Sequence, residues 1–250
     1  MTDTRLRHIL FDNHPLRIED IVDIAHRRCG VGLSSAPDFL HTIQSGADFL
    51  DRLLYNEEQI YGVTTGYGDS CTVVIPSHLV SELPHHLYTY HGCGLGEPFT
   101  RVQTRAIVAA RLVSLCKAYS GVSVELLMQL VRLLDEDILP VIPSEGSVGA
   151  SGDLTPLSYL AAVLCGEREV WVNNDQVPAL TALRQAGITP LTLRPKEGLA
   201  LMNGTAVMTG LSCLAFDRAE YVMQLATRIT AMASLVLDGN PCHFDEVLFS

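Results

Sequence analysis

The chain has 250 residues, 48% of them hydrophobic and 18% charged, and a formal net charge of −11. This length suffices for one large domain or two small ones with an ample core, and the acidic balance argues against nucleic acid or an anionic membrane as a partner. Seven cysteines without a C-x-x-C pair, no secretion signal and no apolar run of membrane-spanning length predict a cytoplasmic protein with free thiols.

The N-terminal residues are predicted to form a small extended pair. Residues 8–11 and 16–18 are rich in Ile, Leu and Phe and flank a turn-forming stretch at residues 12–15. This pattern is typical of a small hairpin or of paired extended segments.

Most of the remaining chain is predicted to be helical from its cap signals and apolar spacing. Pro37 and Asp38 suit the first turn of a helix, Thr100 and Gln103 form a capping-box pattern, and Ser123 is a typical start. The predicted helices cover residues 18–26, 35–54, 100–117, 123–134 and 153–164.

Two further elements follow. Residues 169–177 alternate apolar and polar side chains around an Asn-Asn-Asp turn at residues 173–175, which predicts a β-hairpin. Residues 211–237 contain neither Pro nor Gly and would form a helix about 40 Å long at 1.5 Å per residue. A helix of that length requires bundle partners to cover it.

The tripeptide Ala150-Ser151-Gly152 can become an electrophile. If its backbone is compressed, the amide nitrogen of Gly152 can attack the carbonyl carbon of Ala150 and close a five-membered ring. Loss of one water from the ring and a second from the Ser151 hydroxyl leaves 4-methylidene-imidazol-5-one. Glycine at the third position leaves that nitrogen unhindered. On composition alone, an ordinary Gly/Ser loop before a helix is the stronger interpretation.

Residues 146–160 nevertheless resemble the signature of the histidine and aromatic amino-acid ammonia-lyases, which make this group from their own Ala-Ser-Gly. Four other stretches resemble family blocks in the family's order. They are YGVTTGYG at residues 61–68, HGCGLGEP at residues 91–98, YSGV at residues 119–122 and KEGLALMNGT at residues 196–205.

The resemblance implies a mainly α fold: the N-terminal prosthetic-group domain of the ammonia-lyases, with small β-hairpins, leading into a long bundle helix. Residues 1–250 are expected to form one module, with about 1–200 as the prosthetic-group domain and about 201–238 beginning the central helical bundle. Family members are roughly twice this length, so the C-terminal helical half is expected to be absent. A homotetramer is expected, with a small amino-acid substrate and no external cofactor.

The resemblance also assigns roles to residues. It makes Tyr61 the base that removes the substrate's β-proton, and it places Asn203 beside the prosthetic group, with Asp153 assisting ring closure. It places Gly68, Tyr90 and His91 in the substrate pocket. The plainer alternatives are a half-buried Tyr61 with a satisfied hydroxyl, Asn203 as the N-cap of the long helix, and Asp153 as the N-cap of the helix from residue 154.

Departures from the family pattern leave the substrate open. The family's usual Ser-His-Ala-Cys-Gly is here Tyr90-His-Gly-Cys-Gly94, and Thr64 replaces a common Asn. L-Histidine is favoured, with L-tyrosine or L-phenylalanine next. The alternatives are a 2,3-aminomutase and a catalytically silent scaffold. No metal site is expected, since His78, His85 and His86 have no Cys or carboxylate at ligand spacing.

Overall fold

The computed structural model of the protein describes residues 7–56, 58–147 and 152–249. In this part of the chain the fold is mainly α, as expected. The α-helices, in chain order, are α1 (Ile18–Ala25), α2 (Pro37–Tyr55), α3 (Leu83–His91), α4 (Arg101–Leu115), α5 (Val124–Asp135), α6 (Leu154–Leu164), α7 (Ala179–Gln185), α8 (Glu197–Met202) and α9 (Ala206–Val236).

The strands are short and form small sheets at the edges of the helices. They are β1 (His8–Phe11), β2 (Gly30–Leu33), β3 (Leu95–Pro98), β4 (Leu139–Pro140), β5 (Pro143–Glu145), β6 (Glu169–Val172) and β7 (Asp175–Pro178). The pairs are β1 with β2, β3 with β5, and the antiparallel order β4-β6-β7.

The predicted pairing of residues 8–11 with residues 16–18 is wrong. β1 instead pairs in parallel with β2, from His8 opposite Gly30 to Phe11 opposite Leu33. A parallel pair needs a crossover connection, and α1 supplies it, because the helix already begins at Ile18.

The cap signals and turn chemistry predicted α4, α5 and the β6–β7 hairpin correctly. The Thr100 hydroxyl accepts from the Gln103 amide and the Gln103 side chain reaches back to the Thr100 amide, so α4 begins in a capping box. The Ser123 hydroxyl caps α5 through the Leu126 amide. The β6–β7 hairpin turns at Asn173 and Asn174, both in the left-handed conformation that such a tight turn requires.

The core is centred on α4, whose middle is almost wholly inaccessible to solvent. α4 packs against α1, α5 and α9, and residues such as Ile107, Val108 and Leu112 have no exposed surface. Removing this apolar area from water supplies most of the driving force for folding.

The long helix α9 has a buried beginning and an exposed continuation. It starts before the predicted residue 211 and includes Gly210, where a Cβ would stand 2.8 Å from the backbone of Ala106 and Ile107 on α4. After Leu214 nearly all of its residues are exposed. No helix among the described residues combines the length and apolar character needed to cross a membrane.

Candidate active site

The third residue of the tripeptide is held against the segment that precedes α9. Ala150 and Ser151 lie outside the described residues. Gly152 has φ +87° and forms a parallel bridge with Gly204, and the next amide, of Asp153, donates to the Gly204 carbonyl at 2.9 Å. A Cβ on Gly152 would overlap that carbonyl oxygen. Both the backbone conformation and the space therefore require glycine at this position.

Asp153 caps a helix, but not the one that the sequence predicted. Its side chain makes no capping bond to α6. Instead Oδ2 accepts from the amides of Val207 at 2.8 Å and Met208 at 3.2 Å, in the first turn of α9. The Gly152–Gly204 bridge brings the start of α9 beside α6, so the buried carboxylate meets the positive end of the longer helix.

Asn203 follows the last residue of α8 and is exposed. Its backbone amide donates to the Leu199 carbonyl at 2.8 Å, and its backbone carbonyl accepts from Nη2 of Arg111 at 2.9 Å. The N-cap position of α9 is occupied by Thr205, so the interpretation of Asn203 as that cap is wrong.

Arg111 lies beneath this segment, and sequence reasoning missed it. Nη2 also donates to the Ala200 carbonyl, and a Cβ on Gly204 would overlap the guanidinium. Burial lowers the pKa of Arg111 to about 10, while the charge of Asp153 acts in the opposite direction. The available signal was an arginine inside the apolar run of α4, since buried arginines normally have a structural partner.

Residues 61–68, which we call the tyrosine loop, pack against α8 through Gly62. Tyr61 is 55% exposed, and its phenol oxygen accepts from the Gly68 amide at 2.9 Å. Gly62 leaves no room for a Cβ between Leu199 of α8 and the ring of Tyr67. Burial raises the pKa of Tyr67 to about 12, so Tyr67 keeps its proton at neutral pH. Tyr61 is thus oriented by one backbone amide and remains open to solvent.

Residues 91–98, which we call the strap, contain the next predicted site residue. His91 ends α3, and burial lowers the pKa of its imidazole, which is therefore neutral at pH 7. Tyr90 is exposed, with its ring perpendicular to that of His91 and 5.2 Å away. The strap pairs with β5 through β3, and the Gly94 amide donates to the Tyr159 hydroxyl of α6 at 3.1 Å.

The buried carboxylate of Glu197 joins two of the sequence blocks. Oε1 accepts from the amide of Ser123 at 2.9 Å and from its hydroxyl at 2.7 Å, and Oε2 accepts from the Arg194 amide at 2.8 Å. Ser123, the residue that follows the block at residues 119–122, is thereby held beside Glu197 of α8. Glu197 was part of a recognised block, but its partners are distant in sequence and could not be identified there.

The structure therefore brings Gly152, Asp153 and Asn203 together. Tyr61 and Gly68 lie in the loop that contacts α8 through Gly62, and Tyr90 and His91 lie at the end of α3, where the strap begins. The arrangement offers backbone amides, a phenol, an amide side chain and a neutral imidazole. Among the described residues, no group of three or more His, Cys, Asp or Glu side chains is placed to hold a metal ion.

The chain is similar to known proteins in both sequence and structure. Residues 16–250 match the sequence profile described as aromatic amino acid lyase. The histidine ammonia-lyase of Gloeobacter violaceus is 41% identical over 90% of this chain and 43% of its own length.

Two solved structures are also similar. Tyrosine aminomutase from Streptomyces globisporus superposes with a TM-score of 0.83 and 37% identity, over 90% of this chain and 42% of that one. Pantoea agglomerans phenylalanine aminomutase gives a TM-score of 0.88 and 29% identity, over 97% and 46%. The chain thus spans less than half the length of the relatives it matches. With the profile match covering nearly all of its residues, the chain belongs to the aromatic amino acid lyase family.

Proposed function

We propose that this protein eliminates ammonia from an aromatic L-amino acid without oxidation, using a prosthetic group formed from Ala150-Ser151-Gly152. The observation that carries the proposal is the attachment of Gly152 to Gly204. It holds the third residue of the tripeptide in a conformation open only to glycine and beside the segment that bears Asn203.

The residues around Gly152 fit a group made from the backbone. The side of Gly152 that faces Gly204 has no room for a side chain, and the Asp153 carboxylate and the Arg111 guanidinium fix the two segments on either side. The exposed Asn203 side chain offers both a donor and acceptors without charge, suited to hold an imidazolone by hydrogen bonds. When formed, 4-methylidene-imidazol-5-one supplies an electrophilic carbon that activates the substrate's amine as a leaving group.

Tyr61 is proposed as the base that takes the β-proton. General bases must lie within hydrogen-bond reach of the proton they remove, and Tyr61 presents its oxygen to solvent with the Gly68 amide orienting it. Tyr67 is the less suitable base, because burial raises its pKa to about 12 and it keeps its proton at neutral pH.

L-Histidine is the favoured substrate, and 2,3-aminomutase activity is the second candidate. The curated relatives named histidine ammonia-lyase are 35–41% identical, and His91 presents a neutral imidazole, which can donate to or accept from another imidazole. The 37% identity to a tyrosine aminomutase favours the alternative.

Intact-protein mass spectrometry tests the prosthetic group. Ring closure and dehydration remove two waters, so the mature chain should be about 36 Da lighter than its sequence mass. Ser151→Ala is the matched control, because it lacks the hydroxyl that leaves as the second water. An unmodified wild-type mass would refute the proposal in favour of the silent scaffold.

Product analysis separates the candidate reactions. The mature protein is incubated with L-histidine, L-tyrosine and L-phenylalanine, and the acrylate, ammonia and β-amino acid are measured. Acrylate and ammonia in equal amounts from L-histidine are the expected result. A β-amino acid without net ammonia release would assign the aminomutase reaction instead, and Tyr61→Phe should mature normally but give neither product.

We also propose that the protein works as a homo-oligomer, with α9 at the contact and a boundary near residue 200 between prosthetic-group domain and bundle. Apolar side chains along α9 are exposed, including Phe216, Met223 and Ile229, and exposed apolar patches of this kind mark association sites. Light scattering coupled to gel filtration should give more than one chain mass per particle. A monomer at micromolar concentration would contradict this.

A further inference from the structure

The turn between α6 and β6, residues 165–168, contacts the strap. Gly166 and Arg168 both have positive φ values, +83° and +65°. For Gly166 this conformation is unstrained, but for an arginine it is uncommon and costs free energy. A strained backbone at a position where glycine would be easier indicates that the arginine side chain has a role there.

The Arg168 side chain reaches the strap at the residue that follows His91. Its guanidinium lies over the ring of Tyr159, with Cζ 4.2 Å from the ring centroid, and Nη2 donates to the Gly92 carbonyl at 3.3 Å. The Tyr159 hydroxyl in turn accepts from the Gly94 amide. Arg168 and Tyr159 therefore bind the strap at Gly92 and Gly94, on either side of Cys93.

Gly92 and Arg168 fit each other. A Cβ on Gly92 would overlap the guanidinium of Arg168, so the arginine occupies the space that a side chain at this position would need. Gly92 stands where the family pattern described above has alanine. The glycine is explained here by the neighbouring arginine and not by its own backbone, since it has no positive φ.

The preceding residue strengthens this attachment. Oε1 of Glu167 accepts from the Tyr88 hydroxyl at 2.8 Å and lies 3.4 Å from Nε2 of His85. Glu167 and Arg168 thus hold successive parts of α3 and the strap. These contacts lie on both sides of His91 in the sequence, at Tyr88 and at Gly92.

We propose that Arg168 is a positioning residue that fixes the strap against α6 and thereby sets how His91 and Tyr90 meet the substrate side chain. The second part rests on the proposed function; the first does not. A planar guanidinium that stacks and donates at once suits this role, and an ammonium does not reproduce it.

Hydrogen exchange of the full chain tests the attachment without requiring activity. R168G removes the side chain but suits the observed backbone, so the fold should persist. Amides of residues 92–97 of the strap should exchange about tenfold faster, while α5 keeps its protection. R168K should restore only part of the protection, and R184A, which removes an exposed arginine from α7, should change nothing. Unchanged exchange of the strap in R168G would overturn the proposal.

A double-mutant cycle provides the sharper measurement. G92A should speed strap exchange and lower the melting temperature when Arg168 is present, and should have little further effect in the R168G background, because the overlapping group is gone. Additive effects of G92A and R168G would show that the two residues do not share this space, contrary to the proposal.

Kinetics test the link to the substrate. In R168G, KM for the preferred amino acid should rise severalfold with a much smaller change in kcat, since the strap contacts the side chain and not the reacting atoms. A faster-exchanging strap with unchanged KM would overturn the substrate part. If wild-type protein turns over no amino acid, the proposed function fails, whereas the exchange cycle still decides the coupling of Arg168 to Gly92.

Discussion

The junction between α6, α8 and the start of α9 buries charged side chains, whereas the later part of α9 exposes apolar ones. Arg111, Asp153 and Glu197 are each less than 5% exposed and have hydrogen-bond partners within the chain. Phe216 and Met223 are more than half exposed. Buried charges are tolerated only when they are paired, and each of these three has such partners, although Nε of Arg111 has none among the described residues. The later part of α9 leaves apolar side chains in contact with water, which is unfavourable in free energy.

The largest effect that would distinguish the two regions is expected from Gly152→Ala in the junction. The new Cβ would overlap the Gly204 carbonyl and demand a left-handed alanine, so the free energy of unfolding should fall by more than about 3 kcal/mol. The mass should also lack the loss of two waters. Denaturant unfolding and mass spectrometry measure both.

Gly187→Ala is the matched control, since Gly187 also has positive φ (+65°) but no atom within 4 Å of the added Cβ. It should cost only about 1 kcal/mol. Equal costs for the two variants would mean that backbone strain alone, and not the contact with Gly204, requires glycine at position 152.

Next in size is a leucine pair on two helices. Leu112→Ala in the wholly buried middle of α4 should cost about 3 kcal/mol, with the cavity included. Leu225→Ala, at a residue of α9 that is 42% exposed, should cost less than about 0.5 kcal/mol when measured on dilute protein. A large cost at Leu225 that grows with protein concentration would show that association already covers α9.

Asp153→Ala should have a smaller effect, about 2 kcal/mol, because the Val207 and Met208 amides lose their acceptor and Arg111 loses an opposite charge. Asp153→Asn retains an acceptor oxygen and should recover about half of that loss. Urea unfolding of the three proteins measures the difference. A stable Ala variant would mean that the capping of α9 contributes little to the junction.

The smallest effect is the pH dependence of His91. Burial lowers its pKa from the ordinary 6.5, so below that pH the unfolded chain binds the proton more readily than the folded protein. The free energy of unfolding should therefore decrease as the pH falls through 6.5, and it should not depend on the titration of His91 above about pH 7.5, where the imidazole is neutral in both states. In His91→Gln, the free energy of unfolding measured between pH 8 and pH 5 should lack this decrease. An identical profile in the variant would locate the effect elsewhere.

Local signals in the sequence predicted the elements that depend on near neighbours. The capping box at Thr100 and the Asn173–Asn174 turn are satisfied by residues within a few positions. β2 was missed because Gly30 and Gly32 weaken its strand pattern, and its partner lies across α1.

The candidate site followed the same rule. Its residues could be named from the five ordered blocks, but their contacts could not. Asp153 was assigned to the helix that it precedes, whereas its partners lie 54 and 55 residues later. Arg168 and Gly92 likewise meet across 76 residues, and no local pattern records that distance.

The bridge between Gly152 and Gly204 has a consequence for the order of events during synthesis. The ribosome makes the tripeptide first and the residues that hold it much later, since Val207, which binds Asp153, emerges 54 residues behind it. A nascent chain arrested before Gly204 has no carbonyl to receive the Asp153 amide and no start of α9 to receive the carboxylate. The contact between Gly152 and Gly204 therefore cannot form until the ribosome has passed residue 204.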